Sequence, residues 1–273
     1  MRTQNKSTIS YMFRNFWRLF YVTLPVSVLI AFFCTPNKEV TLFCSLVTGE
    51  VTLEGYVNML MDGLTLLRFG KYWWIAIIAI ILLAYAMCLM VVKLDRHMRV
   101  GKMPALPLKR SFGIFPNMLL YIIGWLAVRE LLMLIIVGIS YMVGFIGNAT
   151  AIVSIAFVLD LAAQVFVTYI FGALIMAFPL KYSENYRFNV AMAYSARTMS
   201  KKRKELVALA FSYPFARVAV MAIAYLLSDF SMGWLIYAVA ITLCLMFVPV
   251  YAFKKFYDDV GGERRDLVQI MFD

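Results

Sequence analysis

The amino-acid sequence predicts an all-α fold: a polytopic membrane helix bundle of six transmembrane helices in three hairpins, with the N- and C-termini cytoplasmic. Three observations lead to this prediction. The chain is 63% hydrophobic, whereas soluble domains are about 45–50% apolar, so a soluble fold could not bury that much apolar surface. Six apolar runs are long enough to cross a bilayer. Lysine and arginine are concentrated in alternate connections between these runs.

The length of each apolar run defines a predicted span. A helix rises about 1.5 Å per residue, so about 20 residues cross the hydrocarbon core. Backbone polar groups find no water partner there, so a spanning segment has to be helical. The runs belong to a single integral membrane domain, residues 1–273, and lie at about residues 16–34, 72–92, 117–146, 150–180, 206–227 and 232–253.

The distribution of cations predicts the orientation, because cytoplasmic loops carry an excess of Lys and Arg. Of the 26 Lys and Arg residues, 21 lie in the N-terminal segment, the second connection, the fourth connection and the C-terminal tail. Only Lys38, Arg68 and Lys71 lie in connections on the other side. The net charge of +11 therefore indicates topology and contact of the basic cytoplasmic loops with anionic lipids, and not nucleic-acid binding.

The connection 35–71 is the one sizeable extracytoplasmic piece. Leu60, Leu64 and Leu67 recur at helical spacing within it, which predicts an amphipathic helix over residues 53–69. This helix is interpreted as a packed surface helix, with a substrate-facing lid as the alternative. Cys34 and Cys44 fall on the same side, and their spacing leaves open whether they pair.

Charged residues inside the apolar runs are the informative feature. Arg129, Asp160 and Arg217 lie about 10–12 residues into their spans, at depths of roughly 15–18 Å, close to the bilayer midplane. A lone charge there costs about 2.5–3.5 kcal/mol on insertion scales. Together with Glu130 the set sums to zero, so mutual pairing in the bundle interior is the cheapest arrangement.

Polar residues on two predicted spans extend this layer. Ala156, Asp160, Gln164, Thr168 and Gly172 recur every four residues, so they share one face of a helix and predict an inward polar seam. Tyr213 lies one turn from Arg217 on the fifth span. The candidate binding residues are therefore Arg129, Glu130, Asp160, Gln164, Tyr213 and Arg217.

Two interpretations of this cluster stay open. It is either a binding or gating site in a polar cavity, with an arginine facing an anionic group, or a buried ion-pair network that fixes helix register. The sequence offers few residues for catalysis or metal binding. The sequence has no CxxC pair and one histidine, His97, which falls in a basic connection and is predicted to be solvated. No catalytic residue, metal site or cofactor is expected.

Several segments carry a family resemblance. They are Phe13–Arg18, the basic Arg96–Lys102 loop leading to Ser111–Phe115, and Ala177–Tyr182. With this layout the chain resembles small six-helix bacterial membrane proteins of the YesL-like kind, or the related YciC-like and glycerophosphodiesterase membrane-domain proteins. YesL-like members are associated with sugar-uptake transporter loci, so the resemblance implies a transport-accessory role in the bacterial plasma membrane.

The expected function is that of a non-enzymatic integral membrane protein, transport-related or accessory to a transporter. The alternatives are a structural or assembly subunit whose ion pairs only hold helices together, and a lipid-handling membrane protein. The expected partners are the lipid bilayer, with anionic lipids at the basic loops, and a membrane or cytoplasmic protein.

Overall fold

The computed structural model describes residues 8–33, 54, 73–105, 107–143, 149–226 and 233–260. Within these segments the chain forms α-helices and no β-strand, so the all-α prediction is confirmed for this part of the chain. The predicted extracytoplasmic helix at 53–69 and the cysteines Cys34 and Cys44 lie outside the described residues, except for Glu54. In chain order the helices are α1 (Thr8–Arg14), α2 (Phe16–Phe33), α3 (Trp73–Val100), α4 (Leu108–Ser111), α5 (Phe115–Val143), α6 (Ala149–Ala173), α7 (Ala177–Ser183), α8 (Phe188–Ser200), α9 (Arg203–Leu226) and α10 (Gly233–Val260).

Four segments are long and apolar enough to cross a membrane: Trp73–Val100, Phe115–Met142, Phe157–Ser183 and Trp234–Asp259. A shorter apolar helix covers Phe16–Ala31. These long apolar helices agree with an integral membrane protein. The fifth predicted span lies on α9. The total of six spans and the cytoplasmic termini remain predictions.

The six longest helices follow one another around the bundle. α2 packs against α3, α3 against α5, α5 against α6, α6 against α9 and α9 against α10, and α10 returns to α2. α10 also contacts α3. Each predicted hairpin partner is thus a neighbour in space, and the two ends of the described chain meet where α10 lies against α2.

The second predicted span extends further than its apolar run. α3 continues to Val100, so Lys93, Asp95 and His97 lie on a helix and not in a loop. Its end is marked by Gly101, whose N–H donates to the His97 carbonyl at 2.9 Å and whose φ is 80°. A left-handed residue after the last helical turn favours glycine because no Cβ opposes it.

The fourth predicted span is interrupted. α6 ends at Ala173, a turn covers 174–176, and α7 starts at Ala177. Pro179 lacks an N–H and lies in the first turn of α7, where that donor would have no intrahelical partner. The Ser195 hydroxyl, from α8, fills the interruption: it donates to the Ala173 carbonyl at 2.8 Å and accepts from the Met176 N–H at 3.1 Å. Helix breaks of this kind form where a side chain inserts into the backbone ladder.

We call the region formed by α1, α4, α7, α8 and the adjoining ends of α3 and α10 the basic end. Its core is among the most completely buried parts of the protein. Leu94, Met98, Met176 and Phe253 have no exposed surface there. The short helices of the basic end therefore add to the bundle core and do not simply connect the long helices.

The inward seam predicted on α6 is present where side chains are described. Asp160 and Gln164 are each 7% exposed, Gly172 is buried and Thr168 is partly buried. A Cβ at Gly172 would lie 3.2 Å from Leu206 Cδ1 and 3.1 Å from Leu209 Cδ2, both on α9. The missing side chain lets α6 and α9 approach closely, as small residues do in membrane helix pairs.

This contact predicts the effect of a larger residue. Gly172→Leu should lower the free energy of unfolding by about 1–3 kcal/mol, because the added side chain overpacks the contact with α9. Thermal unfolding in detergent micelles measures the loss. The matched control is Gly138→Leu on α5, where a Cβ meets nothing within 4 Å. Equal losses at the two positions would contradict a close α6–α9 contact at Gly172.

Candidate functional site

The candidate residues lie on three neighbouring helices. Arg129 and Glu130 are on α5, Asp160 and Gln164 on α6, and Tyr213 and Arg217 on α9. Because α6 packs between α5 and α9, the seam on α6 can face both partners. The structure brings the six residues together in two groups and not as one cluster.

The first group joins α6 to α9 through Asp160. Its Oδ2 accepts from Gln164 Nε2 at 2.8 Å and lies 3.4 Å from Arg217 Nη1. The side chains of Arg217 and Asp160 are 18% and 10% exposed, so the ion pair is largely withdrawn from the surroundings. Asp160 Oδ1 is buried without a hydrogen-bond partner. An unpaired charge inside an apolar bundle is costly. The contacts of Oδ2 with Gln164 and Arg217 therefore compensate the Asp160 carboxylate.

The second group is the ion pair between neighbours on α5. Arg129 Nη1 lies 3.4 Å from Glu130 Oε1, and the two side chains are 23% and 24% exposed. Residues adjacent in sequence point to different sides of a helix, so this contact joins no second helix. The four charges are therefore paired as the neutral sum predicts, but Asp160 pairs with Arg217 and not with Arg129.

A small cleft lies between α5, α6 and α9. Arg129, Gln164 and Tyr213 line it, together with Trp125, Leu132, Met133, Ala163, Val167 and Thr168. Its cavity volume is about 20 Å³, enough for a group the size of one water molecule. Gln164 Oε1 is buried and has no hydrogen-bond partner. The cleft thus unites three of the six candidate residues, whereas Glu130, Asp160 and Arg217 do not line it.

Sequence reasoning missed a polar network at the basic end. Asp95, with no exposed surface, accepts from the Ser183 hydroxyl at 2.6 Å and pairs with Arg99 at 3.1 Å. This network joins α3 to α7. The signal was available: Met90, Leu94 and Met98 continue the helical period beyond Val92, so the charged residues between them extend a helix.

His97 differs from its prediction. It is only partly exposed, and its Nδ1 lies 2.5 Å from the Tyr11 hydroxyl. The prediction of a solvated loop residue was therefore wrong, because α3 continues past Val92 and Tyr11 of α1 contacts its last turn. The contact fastens the first helix to the third.

A second ion network links α9 to α10. Lys202 bonds to Asp259, and Lys255 bonds to Glu205. Partial burial acts to lower the pKa of Lys202, but the hydrogen bond to Asp259 and nearby acids outweigh it, so its pKa lies above the ordinary value. Lys202 is therefore charged at neutral pH and can hold the two helices together.

The contact between Asp160 and Arg217 predicts energetic coupling. Asp160→Ala and Arg217→Ala should each destabilise the protein, because each removes the buried ion pair between α6 and α9, and the double variant should lose less than the sum. We expect a coupling energy of about 1–3 kcal/mol, measured by unfolding of the four proteins of a double-mutant cycle in detergent.

The control cycle pairs Asp160→Ala with Ser140→Ala. Ser140 is also buried, but its hydroxyl donates to the Ile136 carbonyl of its own helix at 2.7 Å. The losses in this cycle should add. Additive losses in the Asp160 and Arg217 cycle as well would show that the ion pair does not stabilise the bundle.

No family model matches the chain, and no curated protein or solved structure is significantly similar to it. The resemblance to YesL-like and YciC-like proteins therefore stays an expectation. The functional conclusion depends on the residues themselves: a largely buried α6–α9 ion pair and a small cleft whose mostly apolar wall contains Arg129, Gln164 and Tyr213.

Proposed function

We propose that this chain is a non-enzymatic, multi-pass membrane protein that acts in transport, as an accessory component rather than as the conduit. In this proposal all six runs span the plasma membrane of a bacterium, and both termini are cytoplasmic. The partners are the bilayer, with anionic lipids at the basic loops, and a membrane or cytoplasmic protein. The cleft between α5, α6 and α9 is the polar site of this function.

The Gln164 amide supports the proposal most directly. Its Nε2 is used by Asp160, while its Oε1 lies buried and unbonded in a residue that lines the cleft. A buried amide oxygen without a partner costs about 1–3 kcal/mol. Such a group is retained where water or a ligand supplies the missing donor. We therefore take the open acceptor of Gln164 beside the cleft as the position where water or a ligand binds.

The charge pattern indicates what the cleft would favour. Arg129 brings a cation to its wall, and Tyr213 brings a phenol from α9. Asp160, the nearest acid on α6, is already engaged by Arg217 and Gln164. The Arg129 guanidinium is likewise paired with Glu130, so the open group in the cleft is the Gln164 acceptor, which suits water or another hydrogen-bond donor.

The size of the cleft favours an accessory role over conduction. A cavity of about 20 Å³ is far smaller than the roughly 300–1,000 Å³ of pockets that enclose small-molecule ligands. In this conformation a sugar-sized solute has no room in this cleft. Hydration of a small polar site, with the solute handled by a partner protein, agrees with these dimensions.

A structural or assembly role is the second candidate, and one observation favours it. The Asp160–Arg217 pair and the Gly172 contact lie on the same α6–α9 interface. Both would be expected if the polar seam served only to fix the register of these helices. The two candidates differ in one property: a functional cleft is reached by water, whereas a packing seam is dry.

Cysteine accessibility tests this difference. In a variant without the four native cysteines, Ala163→Cys should react with a small water-soluble thiol reagent. The reason is that a hydrated cleft allows the reactive thiolate to form. The matched control is Val158→Cys on the same helix, where Val158 is 61% exposed on the outer surface, which lipid covers in this proposal. We expect the reaction at position 163 to be roughly tenfold faster, because hydrocarbon disfavours the thiolate.

The outcomes separate the two candidates. Slow modification at both positions would sink the transport-related proposal and leave the structural role. Rapid modification at both would show that the reagent reaches the outer surface of α6, which contradicts the assignment of α6 as a lipid-facing span. Circular dichroism of each variant confirms that the helices are retained.

A further inference from the structure

Lys93 lies in an unusual environment at the corner where α2 meets α3. Its side chain has no exposed surface. Its ammonium donates to the Arg18 carbonyl at 2.9 Å and to the Tyr21 hydroxyl at 2.5 Å, and it lies 4.1 Å from the centre of the Tyr21 ring. The Tyr21 hydroxyl in turn donates to the Ala105 carbonyl at 2.9 Å. Tyr21 therefore covers Lys93 and fastens the corner to the connection after α3.

Among the residues that the structure describes, this corner has positive charge without a matching carboxylate. Both hydrogen-bond partners of Lys93 are neutral oxygens, and the Arg18 guanidinium is close enough to repel the ammonium. Throughout the described segments, no carboxylate forms an ion pair with Lys93 or Arg18. Asp95, two residues along α3, is occupied by Arg99 and Ser183. Buried charge of this kind is stabilised by a neighbouring anion.

The outer surface beside the corner is suited to a lipid. Phe13, Trp17 and Tyr21 recur every four residues and are 60%, 75% and 44% exposed. Arg14 and Arg18 are exposed between them. The same face continues along α2 to Val28, which is 36% exposed. Aromatic rings and arginines belong to the headgroup level of a bilayer, and aliphatic side chains belong to the hydrocarbon level.

We propose that this corner is a binding site for the headgroup phosphate of an anionic phospholipid. The exposed Arg18 guanidinium donates to the phosphate oxygens, and Lys93 adds its charge from beneath Tyr21. The acyl chains lie along the α2 face from Tyr21 toward Val28. This inference rests on the membrane placement of α2 in the proposed function, but it concerns a different part of the molecule from the cleft and does not depend on the cleft.

The geometry distinguishes this site from general attraction to basic loops. Most exposed cations act as mobile point charges and contribute about 1 kcal/mol each near an anionic surface. At this corner, by contrast, Arg18 belongs to α2, and its own carbonyl is held by Lys93. Arginine also matches phosphate with two parallel hydrogen bonds, which lysine cannot form. The site should therefore depend on one particular arginine.

Lipid titration with native mass spectrometry tests the proposal. The full chain, delipidated in detergent, is titrated with phosphatidylglycerol or with phosphatidylcholine of the same acyl chains. We expect one phosphatidylglycerol to bind in preference to phosphatidylcholine. Arg18→Gln should weaken this binding about fivefold, the effect of roughly 1 kcal/mol per arginine. Arg18→Lys should fall between the two, because it retains the charge but loses the second hydrogen bond.

The matched control is Arg197→Gln, which removes the same charge from an exposed position on α8 and should leave the affinity unchanged. Equal losses for Arg18→Gln and Arg197→Gln would overturn the proposal in favour of non-specific attraction. Equal affinity for the two lipids would also overturn it. If millimolar inorganic phosphate alone displaces phosphatidylglycerol, the site binds a free anion and the lipid assignment is wrong.

Discussion

Compensation of polar groups in apolar surroundings is the constraint on which the structure depends. Asp160 shows it most clearly: the carboxylate, on a helix otherwise almost free of charge, is held by Gln164 of the same helix and Arg217 of the next. The same requirement places a serine hydroxyl in the break between α6 and α7. At the basic end it surrounds Asp95 with a serine and an arginine. These few polar contacts hold α6 against α9 and α3 against α7.

The sequence was sufficient to predict the helical class and to select the charged residues that pair inside the bundle. Long apolar runs can satisfy their backbone only as helices, and counting residues from the ends of the runs predicts similar depths for Arg129, Asp160 and Arg217. Which arginine pairs with Asp160 could not be predicted in this way. Depth does not determine how α5 and α9 are rotated about their axes, so either arginine was an acceptable partner for Asp160. Only the packing of α6 against α9 selects Arg217.

The boundaries of two helices were harder to predict, for two different reasons. Lys93 was taken as the start of a loop because charge usually marks the end of a membrane span. The structure buries it beneath Tyr21 instead, a contact across 72 positions of sequence. The break after Ala173 depends on Ser195, which is also distant in sequence. The local sequence pattern gives no information about contacts between residues that are distant in sequence. The helical spacing of Met90, Leu94 and Met98 nevertheless indicated that α3 was longer.

The Ser195 contact has a mechanical consequence for the helix that carries Asp160 and Gln164. Its hydroxyl takes the place of a backbone hydrogen bond within the membrane-length segment Phe157–Ser183. α8 is thus a structural part of that segment, because its serine supplies hydrogen bonds to the segment's backbone. A chain without α8 would retain every apolar residue of α6 and α7. The backbone around residues 174–176 would, however, lose the two hydrogen bonds that Ser195 forms with it. A displacement of α8 would therefore act directly on residues 174–176, at the end of the polar seam.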